Sequence, residues 1–213
     1  MEKLKLIAGI VLFGSLWGFS EVIIGSAIND AGLPTGAIMT GFFALFFLAF
    51  SRKMYRKPGM QFGMSLVAGS LKLFNPFVGC HLCSAIAIMA EGAIFEIIWY
   101  RMSYDFRDLN SIRMKSSMGI ITAYLTYIGG YIVTQVLTPI ASGATFYIEN
   151  LIVFLPNIFG SGLIAAIIGI VALPITILLS EIDLSLKDTL YYPTTLGISI
   201  LCWVTVIGNW FIA

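Results

Sequence analysis

This sequence predicts an all-α fold, a polytopic bundle of six to seven transmembrane helices with a cytoplasmic N-terminus, on three observations. Of 213 residues, 59% are hydrophobic and 11% charged, and the mean hydropathy is +0.95, which is outside the range of soluble domains. Apolar runs recur along the whole chain, and a helix needs about 20 residues to cross about 30 Å of hydrocarbon. Lysine and arginine fall in alternate connections, the pattern that marks short cytoplasmic loops.

The apolar runs lie at 4–28, 33–50, 59–74, 82–100, 116–137, 150–180 and 190–212. Glu21 interrupts the first run and no small-residue cleavage site closes it, so it is expected to be a retained span rather than a cleaved signal. Lys3 and Lys5 precede span 1, Arg52, Lys53, Arg56 and Lys57 follow span 2, Arg101, Arg107, Arg113 and Lys115 separate spans 4 and 5, and Lys187 follows span 6. All lie on one side if the N-terminus is inside and the spans alternate. The connections Asn29 to Gly32, Asn75 to Leu82 and Thr138 to Asn150 then face outward, without lysine or arginine. Segment 150–180 is long for one untilted helix, and Pro156, Gly160, Gly162 and Pro174 predict a break or kink there. The chain has no repeat and no hydrophilic linker, so residues 1–213 read as a single integral membrane domain. Multi-pass insertion in the cell (inner, cytoplasmic) membrane is expected, with the lipid bilayer as surroundings. A net charge of +1 leaves no nucleic-acid footprint.

Three ionisable residues stand inside apolar spans, where such groups cost a few kcal/mol each and face the protein interior or a pathway. At about 1.5 Å per residue, Glu21 is roughly 25 Å up span 1, Lys72 roughly 20 Å up span 3, and Glu91 roughly 12 Å below the outer end of span 4. All three fall in the outer half. Glu21 shares a helix face with Gly14, Trp17, Gly18 and Gly25, and Lys72 with Ser65, Ala68 and Gly69, small-residue faces that point both charges into the bundle. One reading is an outward cavity in which Lys72 meets an anionic group and a glutamate meets a cationic one, with Trp17 stacking on a ligand ring. The other is a Lys–Glu pair that only orders the packing. Glu96, about 140° around the helix from Glu91, is expected at the interface or in a packing contact.

The segment Asn75-Pro76-Phe77-Val78-Gly79-Cys80-His81-Leu82-Cys83 holds the single histidine and two of the three cysteines. Pro76 and Gly79 mark an outer turn. Asn75, Cys80, His81 and Cys83 are candidate ligand-lining residues. Cys80 and Cys83 are also candidates for a structural disulfide, a redox pair at a helix N-terminus, or soft ligands, with His81, to a metal or corrinoid. No resident cofactor or metal site is otherwise expected. Cys202 reads as packing, Trp99 and Tyr100 as interface anchors. Enzymatic activity is not expected, because no constellation for acyl, phosphoryl or glycosyl transfer can be assembled and no phosphate loop is present. Two alternatives stay open: a thiol–disulfide oxidoreductase using Cys80 and Cys83, and a non-catalytic assembly subunit.

The Gly14-x-x-x-Gly18 face, the run Gly63…Gly69-Ser70-Leu71-Lys72, the outer turn and Ala85…Ala90-Glu91-Gly92 resemble the substrate-binding S components of energy-coupling factor (ECF) transporters. The resemblance implies a membrane subunit that captures a vitamin, vitamin precursor or similar small molecule in an outward pocket. It implies a transmembrane coupling subunit with ABC-type ATPases as partner, meeting Gly14 and Gly18 on the first helix. Divalent-metal members of that family begin with a Met-His motif, which Met1-Glu2 lacks, so nickel or cobalt is not the expected cargo.

Overall fold

In hydrocarbon every backbone N–H and C=O must be satisfied within its own segment or against protein, so apolar runs of this length fold as helices. A computed structural model describes residues 2–75, 80–101, 108–181 and 188–212 and shows no strand among them. Helix α1 joins Glu2–Phe19, a π-helical turn Ser20–Ile24 and Gly25–Asp30; α2 joins Thr35–Ile38, a second π-helical turn Met39–Ala44 and Leu45–Tyr55. Then follow α3 (Met60–Lys72), α4 (His81–Arg101), α5 (Ile112–Ala141), α6 (Ile148–Leu179) and α7 (Asp188–Ile212). Six of these seven helices are long and apolar enough to cross a membrane. Pro76, Gly79, Arg107, Lys187 and Ala213 lie outside the described residues.

The exception is α3, whose 13 residues reach only about 20 Å at about 1.5 Å per residue. It ends on Lys72, and the chain then tightens through Leu73 N–H to Ser70 O, Phe74 N–H to Leu71 O and Asn75 N–H to Lys72 O. Irregular backbone at membrane depth survives only where protein covers it. Asn75, at the end of this turn, is fully buried. The start of α3 is capped from a distance: the Glu96 carboxylate of α4 accepts from Gly59 N–H, and from Phe62 N–H at 2.9 Å. Glu96 therefore satisfies two amides at a helix start, a role its position on α4 alone does not reveal.

The expected break in segment 150–180 is absent. Helix α6 runs unbroken through Pro156 and Pro174 for 32 residues, about 48 Å at about 1.5 Å per residue. Membrane helices tolerate proline because their neighbours and local adjustments re-satisfy the freed carbonyls, and the excess length is taken up by tilt or by extension past the hydrocarbon.

The helices form a ring. Going round it, α1 packs on α3, α3 on α4, α4 on α5, α5 on α6 and α6 on α2, which closes against α1; α7 lies outside the ring against α1. Phe13, Trp17, Leu48, Met64, Phe95 and Leu173 fill the middle. The tightest crossing joins α5 and α6, where a Cβ at Gly169 would stand 2.4 Å from the Gly119 carbonyl oxygen and 2.8 Å from Ala123 Cβ. At the basic end two expectations change. Arg52 is inside α2 and buried, its guanidinium 3.6 Å from the Tyr100 ring centroid and its Nη2 donating to Trp99 O at 3.3 Å. Trp99 is 1% exposed and is a core residue rather than an interface anchor.

Gly169→Val is expected to lower stability by about 1–3 kcal/mol, the usual range for overpacking a close contact. Gly160→Ala, whose added carbon meets nothing within 4 Å, should be neutral or slightly stabilising. Thermal unfolding of the detergent-solubilised protein checks the pair; equal melting temperatures would contradict the close α5–α6 crossing.

Candidate functional site

At the end of the bundle opposite the basic Arg52–Lys57 turn, the helices separate around a cavity of about 180 Å³ lined by Glu21, Lys72 and Glu91 together. The positive-inside pattern makes this the outer end. Helix α4 contributes Ser84, Ala87, Ile88 and Glu91, spaced i, i+3, i+4 and i+7 along one stripe. From α1 come Glu21, Gly25 and Asn29, from α2 Thr35, Gly36, Met39 and Thr40, and from α5 Tyr131.

Both π-helical turns lie at this cavity, one carrying Glu21 and the other Met39 and Thr40. Such turns are rare and concentrate at functional sites, because the extra residue re-aims side chains and releases a carbonyl from the regular ladder. In α1 the Gly25 N–H bonds back to Ser20 O, not to Glu21 O as a regular α-helix requires. Lys72 Nζ takes up the Glu21 carbonyl at 2.5 Å and lies 3.7 Å from Glu21 Oε2. Trp17 Nε1 donates to Glu21 Oε1 at 3.3 Å. The lysine and the first glutamate are thus engaged with each other and with their own scaffold.

Glu91 is 3% exposed and differently placed. Its Oε1 accepts from Thr40 Oγ1 at 2.6 Å, while Oε2 is buried with no hydrogen-bond partner. Gly130 on α5 leaves the room, since a Cβ there would stand 3.0 Å from Glu91 Cγ. Tyr131 stacks on Tyr127 with ring centroids 4.4 Å apart, and a Cβ on Gly36 would stand 2.0 Å from its hydroxyl oxygen. A larger residue at that position would push the Tyr131 hydroxyl aside.

Of the residues expected at the site from sequence, Lys72, Glu21 and Glu91 meet at one cavity, and the others do not line it. Trp17 is fully buried and does not line the cavity, which its ring meets only through the hydrogen bond to Glu21 and not as a surface on which a ligand ring could stack. Asn75 is buried behind Lys72. Cys80 and Cys83 form a disulfide at the start of α4, so neither sulfur is a thiolate free for a metal or corrinoid. His81 packs edge-on against Trp210, ring centroids 5.7 Å apart, and the described residues contain no His/Cys/Asp/Glu group able to hold a metal ion. Gly14 and Gly18 face α3, with built Cβ atoms 2.6 Å from Val67 Cβ and 2.9 Å from Leu71 Cβ. That small-residue face is therefore filled from within the chain. Sequence reasoning missed Thr40, Ser84 and Tyr131. Ser84 was accessible through its i−7 relation to Glu91; Thr40 and Tyr131 lie on other helices and carry no local signal. No family model, curated protein or solved structure matches the chain.

Removing the lysine alone leaves the buried Glu21 without its counter-charge. Lys72→Met should cost about 3–5 kcal/mol, and adding Glu21→Gln should restore most of it. A thermal-unfolding double-mutant cycle reads this directly, and additive losses would show that the two groups do not depend on each other.

Proposed function

We propose that this chain is a substrate-capturing membrane subunit that takes up a small polar organic molecule from the outer face. The observation that supports the reading is the convergence of Glu21, Lys72 and Glu91, from three helices, on one cavity. Buried charges at membrane depth mark substrate pathways by default, and concave sites with a few convergent polar groups are the usual binding places. The cavity is small, about 180 Å³. That suits a compact ring or an amino-acid-like molecule, such as a vitamin precursor, and is too small for a corrinoid.

The chain carries no nucleotide-binding motif, so the energy for release comes from an ion gradient or a partner. An ECF-type coupling subunit with ABC ATPases is the partner proposed, in keeping with the S-component resemblance. Its docking surface lies away from Gly14 and Gly18, which α3 already covers.

The second reading, thiol–disulfide exchange, draws support from the Cys80–Cys83 disulfide, whose Cys80 end is exposed. It predicts that Cys80→Ser or Cys83→Ser abolishes turnover with a dithiol substrate, whereas Glu91→Gln leaves it intact.

Native mass spectrometry of the purified protein tests capture. A bound small molecule is expected in the wild type and is expected to be lost from Glu91→Gln while the variant stays folded. An adduct equally populated in both proteins sinks the assignment.

A further inference from the structure

The hydrogen bonds divide the three cavity charges unequally, and that division bears on what the cavity accepts. Lys72 donates to the Glu21 main-chain carbonyl and pairs with Glu21 Oε2, while Glu21 Oε1 accepts from Trp17. The charge of each is offset by the other. An anion entering here would have to pull Lys72 away from Glu21 and leave that carboxylate buried without compensation, which is costly. Glu91 has one oxygen on Thr40 and the other, Oε2, buried with no partner. An unpartnered buried acceptor is expensive to leave unmade, and a carboxylate bonds most strongly to a charged donor.

We propose that the ligand is a compact organic cation, a primary or secondary ammonium or a protonated nitrogen heterocycle, whose N–H group donates to the Glu91 carboxylate. This rests on the capture reading and names the chemical class that the site would take. The wall beside Glu91 agrees with it. Tyr131 and Met39 line it, and an aromatic ring is a favourable neighbour for an organic cation. With Glu21 and Lys72 paired to each other, Glu91 is the remaining acidic group on the cavity wall, and a monocation is the ligand charge that would balance its carboxylate. Thr40 acts as a positioning residue. By holding Oε1 it fixes the carboxylate plane.

The test is a binding titration of the full chain in detergent, read by thermal shift and calorimetry, with methylammonium, benzylammonium and the isosteres benzyl alcohol and benzoate as probes. Benzylammonium is expected to stabilise the protein saturably, with benzyl alcohol and benzoate at least about tenfold weaker. Glu91→Gln should weaken benzylammonium roughly 10- to 100-fold, the loss of one charge-assisted hydrogen bond. Benzoate or benzyl alcohol binding as tightly as benzylammonium, with or without methylammonium binding, overturns the cation assignment and leaves capture standing. Failure of every probe, together with no co-purifying molecule, removes both. If Glu91→Gln does not fold, the wild-type preference series decides alone, and Glu91→Asp, which keeps the charge on a shorter arm, should retain the order of preference with lower affinity.

Discussion

The structure depends on one ammonium group held between a carboxylate and a main-chain carbonyl of the same helix. A lone lysine or glutamate at the centre of a membrane helix costs about 2.5–3.5 kcal/mol on insertion scales. Lys72 and Glu21 lower that cost by meeting each other, and Lys72 also occupies the Glu21 carbonyl. The contact has two consequences for the backbone. The π-helical turn Ser20–Ile24 takes the Gly25 N–H to Ser20 O, so the Glu21 carbonyl can turn to the lysine. Helix α3 stops at Lys72, where the ammonium is already satisfied, and never completes a span.

The ring of helices then sets which side chains can look inward. Close packing needs small residues where backbones approach in lipid, since apolar surface alone gives no preference for protein over hydrocarbon. Gly14 and Gly18 draw α1 onto α3, and Gly119 and Gly169 draw α5 onto α6. Gly69 and Gly92 do the same for α3 and α4, and Gly41 for α2 and α6. Gly36 instead admits the Tyr131 hydroxyl and Gly130 admits Glu91, so the glycines that make the site differ from those that make the frame. Helix α7, outside the ring and packed chiefly on α1, supplies no cavity residue.

Much of this was legible in the sequence, for identifiable reasons. Hydropathy and basic-residue spacing report the bilayer itself, so span number and alternation emerge without knowledge of any contact. The three buried charges are visible because hydrocarbon penalises them, and helical phase aims Glu21 and Lys72 inward. Other features depend on partners distant in sequence. Glu96 looks like a surface residue until Gly59 and Phe62 are seen to need its carboxylate. The Gly14-x-x-x-Gly18 face says that a helix packs there, not that the helix is α3. Pro156 and Pro174 signal a break by local rules, yet α6 continues through them because membrane surroundings relax those rules. The π-helical turns have no local signature at all. Each exists because a contact across the bundle rewards it.

Buried charges in a membrane protein invite one question, whether they hold the fold or meet a ligand, and here the answer differs between residues of a single cavity. Lys72, Glu21 and Trp17 form a closed set in which each carboxylate oxygen and the ammonium has a protein partner. A set so completed contributes to packing and to the shape of the wall. Glu91 is held on one oxygen by Thr40, from the second π-helical turn, and is left open on the other. Had evolution needed only a filled interior, an apolar residue opposite Gly130 would serve at lower cost than a carboxylate with an unmade hydrogen bond. The open oxygen is thus the feature that packing does not account for. The paired charges around it give it a rigid, charge-balanced setting, in which a donor from outside would face little rearrangement of the protein.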